Sequence, residues 1–220
     1  MPERARPLPY CWVGWWPVRL MRRALVAHGY RLLLCFWMRG FTVEGREHIP
    51  PGPVIFAATH TSMTDTPLIL RALGARGDRV VVTAARDYFF RPSRRWLGPL
   101  VALGFGAVPI DRIGPARQSI HDARTWLRRG FSLVIYPQGT IPGPAEDETA
   151  LRRGVGMLAK ASRCPVVPVR ITGAATLLPA GVHWPRPAYV CVTFLTPILC
   201  AEGEPSQRFT DRLRALLFST

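Results

Sequence analysis

Lysine is almost missing from this 220-residue sequence: of 29 basic residues only Lys160 is a lysine, and the rest are arginines. Arginine bias also tracks genomic base composition, so by itself it carries no argument. Acidic residues are scarce as well, 14 in all, which leaves a formal net charge of +15 and a pI ≈ 11.1. Such an imbalance implies attraction to something anionic: a phospholipid surface, a phosphorylated substrate or nucleic acid. The cysteines (Cys11, Cys35, Cys164, Cys191 and Cys200) are odd in number and widely spaced. No CxxC or Cys/His cluster has metal-ligand spacing, so no metal site is expected, and a reducing, cytosol-facing location is the simplest reading. No uncharged apolar run reaches the ~20 residues of a transmembrane helix. There is no internal repeat and no low-complexity tract. What remains is a hydrophobic content of 48% in a length that suits one domain with a real core.

The amino-terminal stretch "MPERARPLPYCWVGWWPVRLMRR" is basic and rich in tryptophan, and "ALVAHGYRLLLCFWMRGF" after it is apolar. Basic residues interrupt the apolar run and no small-residue cleavage site follows, which argues against a signal peptide. On a helical wheel Arg19, Arg22 and Arg23 share one side, and Leu20, Met21, Ala24 and Leu25 occupy the other. Trp12, Trp15, Trp16 and Trp37 suit the lipid headgroup zone. Residues 1–40 therefore read as a membrane-interface segment, an interfacial helix or helix pair with a break near His28-Gly29. The competing reading packs this helix on the domain's own core.

From residue 41 onward, strand-like and helix-like runs alternate through to residue 220. Strands are expected over 53–59, 79–84, 106–110, 131–136, 166–171 and 189–194, several of them continuous β-branched runs of the kind buried on both sheet faces. Helices are expected over 67–73, 115–129, about 151–162 and 208–218, with Gly130 ending the second. The alternation argues for an α/β domain. Pro/Gly-rich loops cover 141–149 and 178–188.

Chemistry concentrates where strands end. "THTSMTDTP" (59–67) follows the first strand and opens a helix on proline. A strand–turn–helix segment can fold Asp65 back onto His60, fixing the imidazole tautomer and raising the basicity of the other ring nitrogen, which can then deprotonate a hydroxyl. Asp65 can equally cap the helix. Further strand ends carry "GAVPIDR" (106–112), where the Arg112 guanidinium can meet a phosphate bidentately, "VIYPQGT" (134–140) and "VVPVRITGA" (166–174).

His-x4-Asp, then "IDR", "YPQGT" and "VPVR", in that order, resembles the glycerolipid acyltransferases, of which 1-acylglycerol-3-phosphate acyltransferase is typical. "GREHIPPGPVIFAATH" is similar to that family's lead into its first motif, and the likeness covers about residues 41–200. It implies a mixed sheet flanked by helices, preceded by an amphipathic N-terminal helix pair. It also implies that His60 is the general base and that Asp65 holds it. Arg112, Gln138, Gly139, Thr140 and Arg170 then contact the substrate. The implied reaction moves an acyl group from acyl-CoA or acyl carrier protein to a lysophospholipid hydroxyl without an acyl-enzyme, and needs no cofactor. The expected setting is the cytoplasmic face of an anionic membrane, with the protein peripheral or monotopic. The third block departs from the family's Phe-Pro-Glu-Gly-Thr-Arg: here it reads Tyr136, Pro137, Gln138, Gly139, Thr140, Ile141. A neutral amide replaces a carboxylate and an apolar residue replaces a cation, which leaves the His/Asp chemistry intact and opens the identity of the acceptor. Arg152 and Arg153 offer substitute cations, although a solvated helix face is their simpler role.

Three other readings compete. A Ser62–His60–Asp65 hydrolase lacks a G-x-S-x-G elbow and crowds its triad into six residues. A nucleic-acid-binding module would collect its arginines in one stripe, and here they are dispersed, so no nucleic-acid partner is expected. A membrane-binding protein that keeps the fold without turnover rests on Gln138 alone.

Overall fold

Seven strands form one sheet in the order β1-β7-β6-β2-β5-β3-β4 in the computed structural model, which describes residues 8–29, 37–111, 116–143, 145–179, 181–182 and 184–219. The strands are β1 (Met38–Glu44), β2 (Ile55–Ala58), β3 (Val80–Ala85), β4 (Ala107–Ile110), β5 (Ser132–Ile135), β6 (Val166–Thr172) and β7 (Ala188–Phe194). The block β6-β2-β5-β3-β4 is parallel throughout, whereas β7 runs antiparallel to β6 and carries β1 parallel to itself. The sheet is therefore mixed, as expected. All five strands of the parallel block end at one edge, where crevices of α/β sheets form.

Six strands lie where the sequence pattern puts them. β1 was not expected. Arg39, Gly40 and Glu44 break its apolar pattern, and it lies at a sheet edge where its residues are only partly buried. The sheet thus takes in residues on both sides of position 40.

The helices are α1 (Trp16–Ala24), α2 (Asp65–Leu73), α3 (Arg86–Phe89), α4 (Leu97–Phe105), α5 (Ala116–Arg128), α6 (Gly154–Ser162), α7 (Ala174–Leu177) and α8 (Ser206–Phe218). Alternation along the strands splits the core in two. Val54, Phe56 and Ala58 face one layer with Leu68, Ile69 and Leu70 of α2 and Leu177 of α7. Ile55 and Ala57 face the other, with Trp126 of α5, Leu158 of α6 and Phe209 and Leu213 of α8. Gly156 lets α6 meet α8 closely: a Cβ there would lie 2.1 Å from the Ser206 carbonyl oxygen.

The amino-terminal helix answers both readings of its sequence. Two of its three cations face the domain and Arg23 is exposed: Arg22 is buried, its guanidinium donating to the carbonyls of Val13, Asp78 and Val80 at 3.5, 3.3 and 3.4 Å, and Arg19 pairs with Asp78. Its apolar side, with Trp16, Leu20 and Met21, faces outward. α1 continues through a π-helical turn, Leu25–Gly29, at the position of the expected break. The second member of the expected helix pair falls largely on residues 30–36, outside the described residues. Among the described residues no helix is long and apolar enough to cross a membrane.

Candidate active site

β2 delivers the site. Beyond Ala58 the chain stays bonded to β6 through Thr59, whose N–H donates to the Val169 carbonyl at 3.0 Å and whose hydroxyl accepts the Ile171 N–H at 3.1 Å. The turn then reverses into α2, and Asp65 stands at the first helical position.

One oxygen of Asp65 organises the whole turn. Its Oδ2 accepts the backbone N–H groups of Thr61 and Ser62 at 2.7 and 2.8 Å and lies 2.9 Å from His60 Nδ1. The carboxylate is fully buried, where the α2 N-terminus favours negative charge. A carboxylate oxygen that already accepts two N–H bonds does not donate to the ring, so Nδ1 carries the proton and Nε2 the lone pair. Asp65 therefore holds the turn and orients the imidazole at once. It is the first residue of α2 and not its cap, since the helix carries no side-chain cap bond, so of the two roles the sequence left open the structure keeps the pairing with His60.

Tyr136, the first residue after β5, stacks on the other side of the ring, with centroids 4.1 Å apart and planes inclined by 22°. Its hydroxyl meets Thr66 Oγ1 at 2.7 Å. Burial drives the phenol's pKa well above its ordinary value, and the neighbouring Asp65 carboxylate pushes the same way. The ring is thus held by a hydrogen bond at its edge and an aromatic plate on its face.

Gln138 is buried and ties three segments together. Its Oε1 accepts the His60 backbone N–H at 2.6 Å, and its Nε2 donates to the Glu148 carbonyl at 2.7 Å. One side needs an acceptor and the other a donor, which is what a side-chain amide offers. Gly139 follows with φ +81°, and a Cβ there would lie 2.5 Å from Arg152 Nε. Arg152 is laid across this turn, its backbone N–H donating to the Pro137 carbonyl at 2.8 Å. Arg152 is exposed, as its expected solvated role requires, though it lies ahead of α6 and its Nε also reaches the Gln138 carbonyl at 3.4 Å. Thr140 is exposed at the end of the same turn.

His60, Asp65, Gln138 and Gly139 are thus brought together, with Thr140 beside them. Arg170 is turned elsewhere: neighbours on a strand face opposite sides, and while Val169 and Ile171 enter the α2 layer, Arg170 reaches α8. There its guanidinium donates to the carbonyls of Leu217, Leu216 and Ser219 at 3.1, 3.0 and 2.6 Å. Arg112 lies outside the described residues. Its neighbour Asp111 accepts from Arg86 Nε at 2.7 Å, and both side chains of that pair are partly exposed. Arg86, one residue past β3, is a strand-end cation that the motif reading overlooked; "TAARD" at the close of a β-branched run was its signal.

Ser62 does not act as a nucleophile. Its hydroxyl is buried, donates to the Leu178 carbonyl at 2.8 Å and accepts the Thr64 N–H at 3.2 Å. Cys164 and Cys200 are half-buried, and burial raises the pKa of both thiols, away from the thiolate that chemistry would need.

A histidine bonded to a buried aspartate thus stands at the carboxyl edge of a mixed α/β sheet, the arrangement expected of the acyltransferases. Comparison with known proteins agrees: the Acyltransferase family model matches residues 40–172, and the chain belongs to that family. Curated relatives named 1-acyl-sn-glycerol-3-phosphate acyltransferase include one from Limnanthes alba, 30% identical over 172 residues, 75% of this chain and 57% of the relative. One from Bacillus subtilis is 25% identical over 62% of this chain and 65% of the relative. One from Cocos nucifera is 26% identical over 91% of this chain and 65% of the relative. The chain therefore spans less than two thirds of the length of these relatives. The crystal structure of the 1-acyl-sn-glycerophosphate (LPA) acyltransferase from Thermotoga maritima shares the fold, with a TM-score of 0.62 at 20% identity over 91% of this chain and 93% of that one.

Proposed function

We propose that this protein transfers a fatty acyl group from acyl-CoA or acyl carrier protein to the free hydroxyl of a lysophospholipid, 1-acylglycerol-3-phosphate being the acceptor its curated relatives are named for. The observation that carries this reading is the 2.9 Å bond between His60 Nδ1 and buried Asp65. With Nδ1–H donated to the carboxylate, Nε2 takes the acceptor's hydroxyl proton as the alkoxide oxygen attacks the thioester carbonyl. The tetrahedral intermediate then expels the thiolate, which recovers the proton from the imidazolium. Asp65 stabilises that cation without accepting a proton itself, as in other carboxylate–histidine pairs. Products are an ester and a free thiol, and no acyl-enzyme is required.

Placement at a membrane is supported by the outward apolar side of α1, which presents Trp16, with Trp15 exposed just ahead of it, in an arginine-rich segment. The acceptor's phosphate suits the strongly basic chain, with Arg86 just past β3 and Arg112 of the "IDR" motif as the cations to contact it. Arg170 serves the fold in this reading. Gln138 admits a second version, in which the acceptor is another lysolipid, because its amide supplies no charge to the turn.

The test is thiol release from a long-chain acyl-CoA by purified protein on anionic liposomes, with and without lysophosphatidic acid, comparing wild type with His60→Ala. Release that needs both acceptor and His60 supports the transferase, and is expected to fall by about 10³-fold or more in the variant. Release without acceptor identifies a thioesterase. Vesicle binding with no release from any lysolipid, and with either CoA or carrier-protein donors, leaves a binding protein.

A further inference from the structure

Exposed large apolar side chains are scattered over most of the surface, but two helices each present a pair of them. In α1, Trp16 and Leu20 are 73% and 59% exposed; in α4, with Trp96 just ahead of its first turn, Trp96 and Leu100 are 68% and 55% exposed. Each pair is spaced i, i+4 and so shares one helix face. The two helices are in contact. At one end Tyr10 and Phe90 meet edge to face at 4.9 Å over Gly98, where a Cβ would lie 2.8 Å from the Tyr10 hydroxyl. At the other end Arg22 closes on Gly106, where a Cβ would lie 2.7 Å from its Nη1. The amino-terminal segment thus meets α4 at both of its ends.

We infer that α4 is a second membrane-docking element, and that Trp96 and Leu100 enter an anionic phospholipid bilayer beside Trp16 and Leu20 of α1. The inference rests on the membrane placement proposed above and extends it to a segment far away in sequence. Charge selects the occupant. Residues 4–43 and 88–110 contain no Asp or Glu. Arg23 on α1 and Arg91 and Arg95 ahead of α4 are exposed beside the apolar pairs. Exposed apolar pairs flanked along the chain by cations match a headgroup layer of negative phosphates above hydrocarbon. Tryptophan suits the depth at which those meet. A soluble partner of the same apolar character would lack that complement, and a second copy of this chain would bring cations against cations.

The experiment is co-sedimentation of the full chain with vesicles of equal parts phosphatidylcholine and phosphatidylglycerol, for wild type, Trp16→Ser/Leu20→Ser and Trp96→Ser/Leu100→Ser. Turnover on monomeric short-chain substrates and oligomeric state by light scattering are followed in parallel. Each double variant is expected to bind about tenfold or more weakly while keeping its turnover on monomeric substrates. Pure phosphatidylcholine vesicles, or raised salt, should weaken wild-type binding as the arginines lose their partners. Wild-type affinity in the Trp96/Leu100 variant, with loss only in the Trp16/Leu20 variant, overturns the role of α4. A wild-type dimer that becomes monomeric in the Trp96/Leu100 variant without loss of vesicle binding makes the face a self-association surface and overturns it equally. Absence of turnover in every form, with vesicle binding lost as expected, counts against the transferase and leaves the docking surface standing.

Discussion

The side-chain amide of Gln138 holds the backbone N–H of His60 at 2.6 Å, so the residue bearing the imidazole is gripped at its main chain as well as at its ring. The other end of the amide donates to Glu148, ten positions along the chain, and a carboxylate could not make that bond while ionised. Gln138→Glu is therefore expected to keep the first contact, lose the second and set a negative charge against a carbonyl. Stability should fall by about 1–3 kcal/mol. Turnover should fall about tenfold, chiefly in kcat, because the base is displaced while the acceptor still binds. Steady-state kinetics of this variant beside Gln138→Leu, which loses both bonds, checks the order: wild type, then Glu, then Leu.

Tyr136 is expected to act through its ring more than its hydroxyl. Tyr136→Phe keeps the stack on His60 and loses the 2.7 Å bond to Thr66, at about 1 kcal/mol of stability and with turnover within a few-fold of wild type. Tyr136→Ala, which uncovers the imidazole face, should lose far more turnover. Titration separates the two forms further. Folding raises the phenol's pKa above its ordinary 10.0, so the folded state keeps a proton that the unfolded state releases in alkali. Wild-type stability should therefore decline as pH rises above about 10, and Tyr136→Phe should lack that component. Denaturant melts on both sides of that pH measure it.

Arg170 closes the last turn of α8. Replacing it with Met should lower stability by about 1–2 kcal/mol as the carbonyls of Leu216, Leu217 and Ser219 lose their donor. The KM for a phosphate-bearing acceptor should not change. A raised KM with an unchanged melting temperature would return this residue to the substrate.

Glu204 gives a second pH-dependent contribution, on the acid side. Hydrogen bonds from Arg212, in contact at 2.9 Å through both Nε and Nη2, hold its carboxyl below the ordinary 4.5, and the Ala201 N–H adds to this. A depressed carboxylate stabilises the fold above its unfolded value and loses that contribution as pH falls through the lower folded value. Wild type should therefore exceed Glu204→Gln by about 1 kcal/mol at neutral pH, a modest figure because Arg212 is nearly half exposed. The two should converge below pH 4.5 in thermal melts.

Much of this was legible in the sequence, and the omissions have physical causes. β2, β3, β5 and β6 are short, mostly apolar runs with both faces covered, so their burial writes itself into composition. The same continuity hides direction, and nothing within "VVPVRI" tells which layer Arg170 enters. α4 escaped because Gly98 and Pro99 interrupt it and its residues are apolar on every side, leaving no helical period to detect. His60 and Asp65 are five positions apart and were readable as a pair. The work of Gln138 was not, because half of it is done against a backbone carbonyl in a Pro/Gly-rich loop, and carbonyls leave no trace in side-chain identity.

Arg22 changes what kind of attachment α1 can be. Lifting the helix away from the domain would strip a buried guanidinium of the carbonyls of Val13, Asp78 and Val80 and break the pairing of Arg19 with Asp78. A buried cation deprived of its partners is costly, so α1 moves with the sheet as one body rather than trailing from it on a leash. A leashed enzyme would tumble above a surface and meet it in every attitude. A rigid mount instead sets one attitude, so the height of His60 above any plane that receives Trp16 is a constant of the fold, and the reach demanded of a substrate headgroup is decided before the substrate arrives.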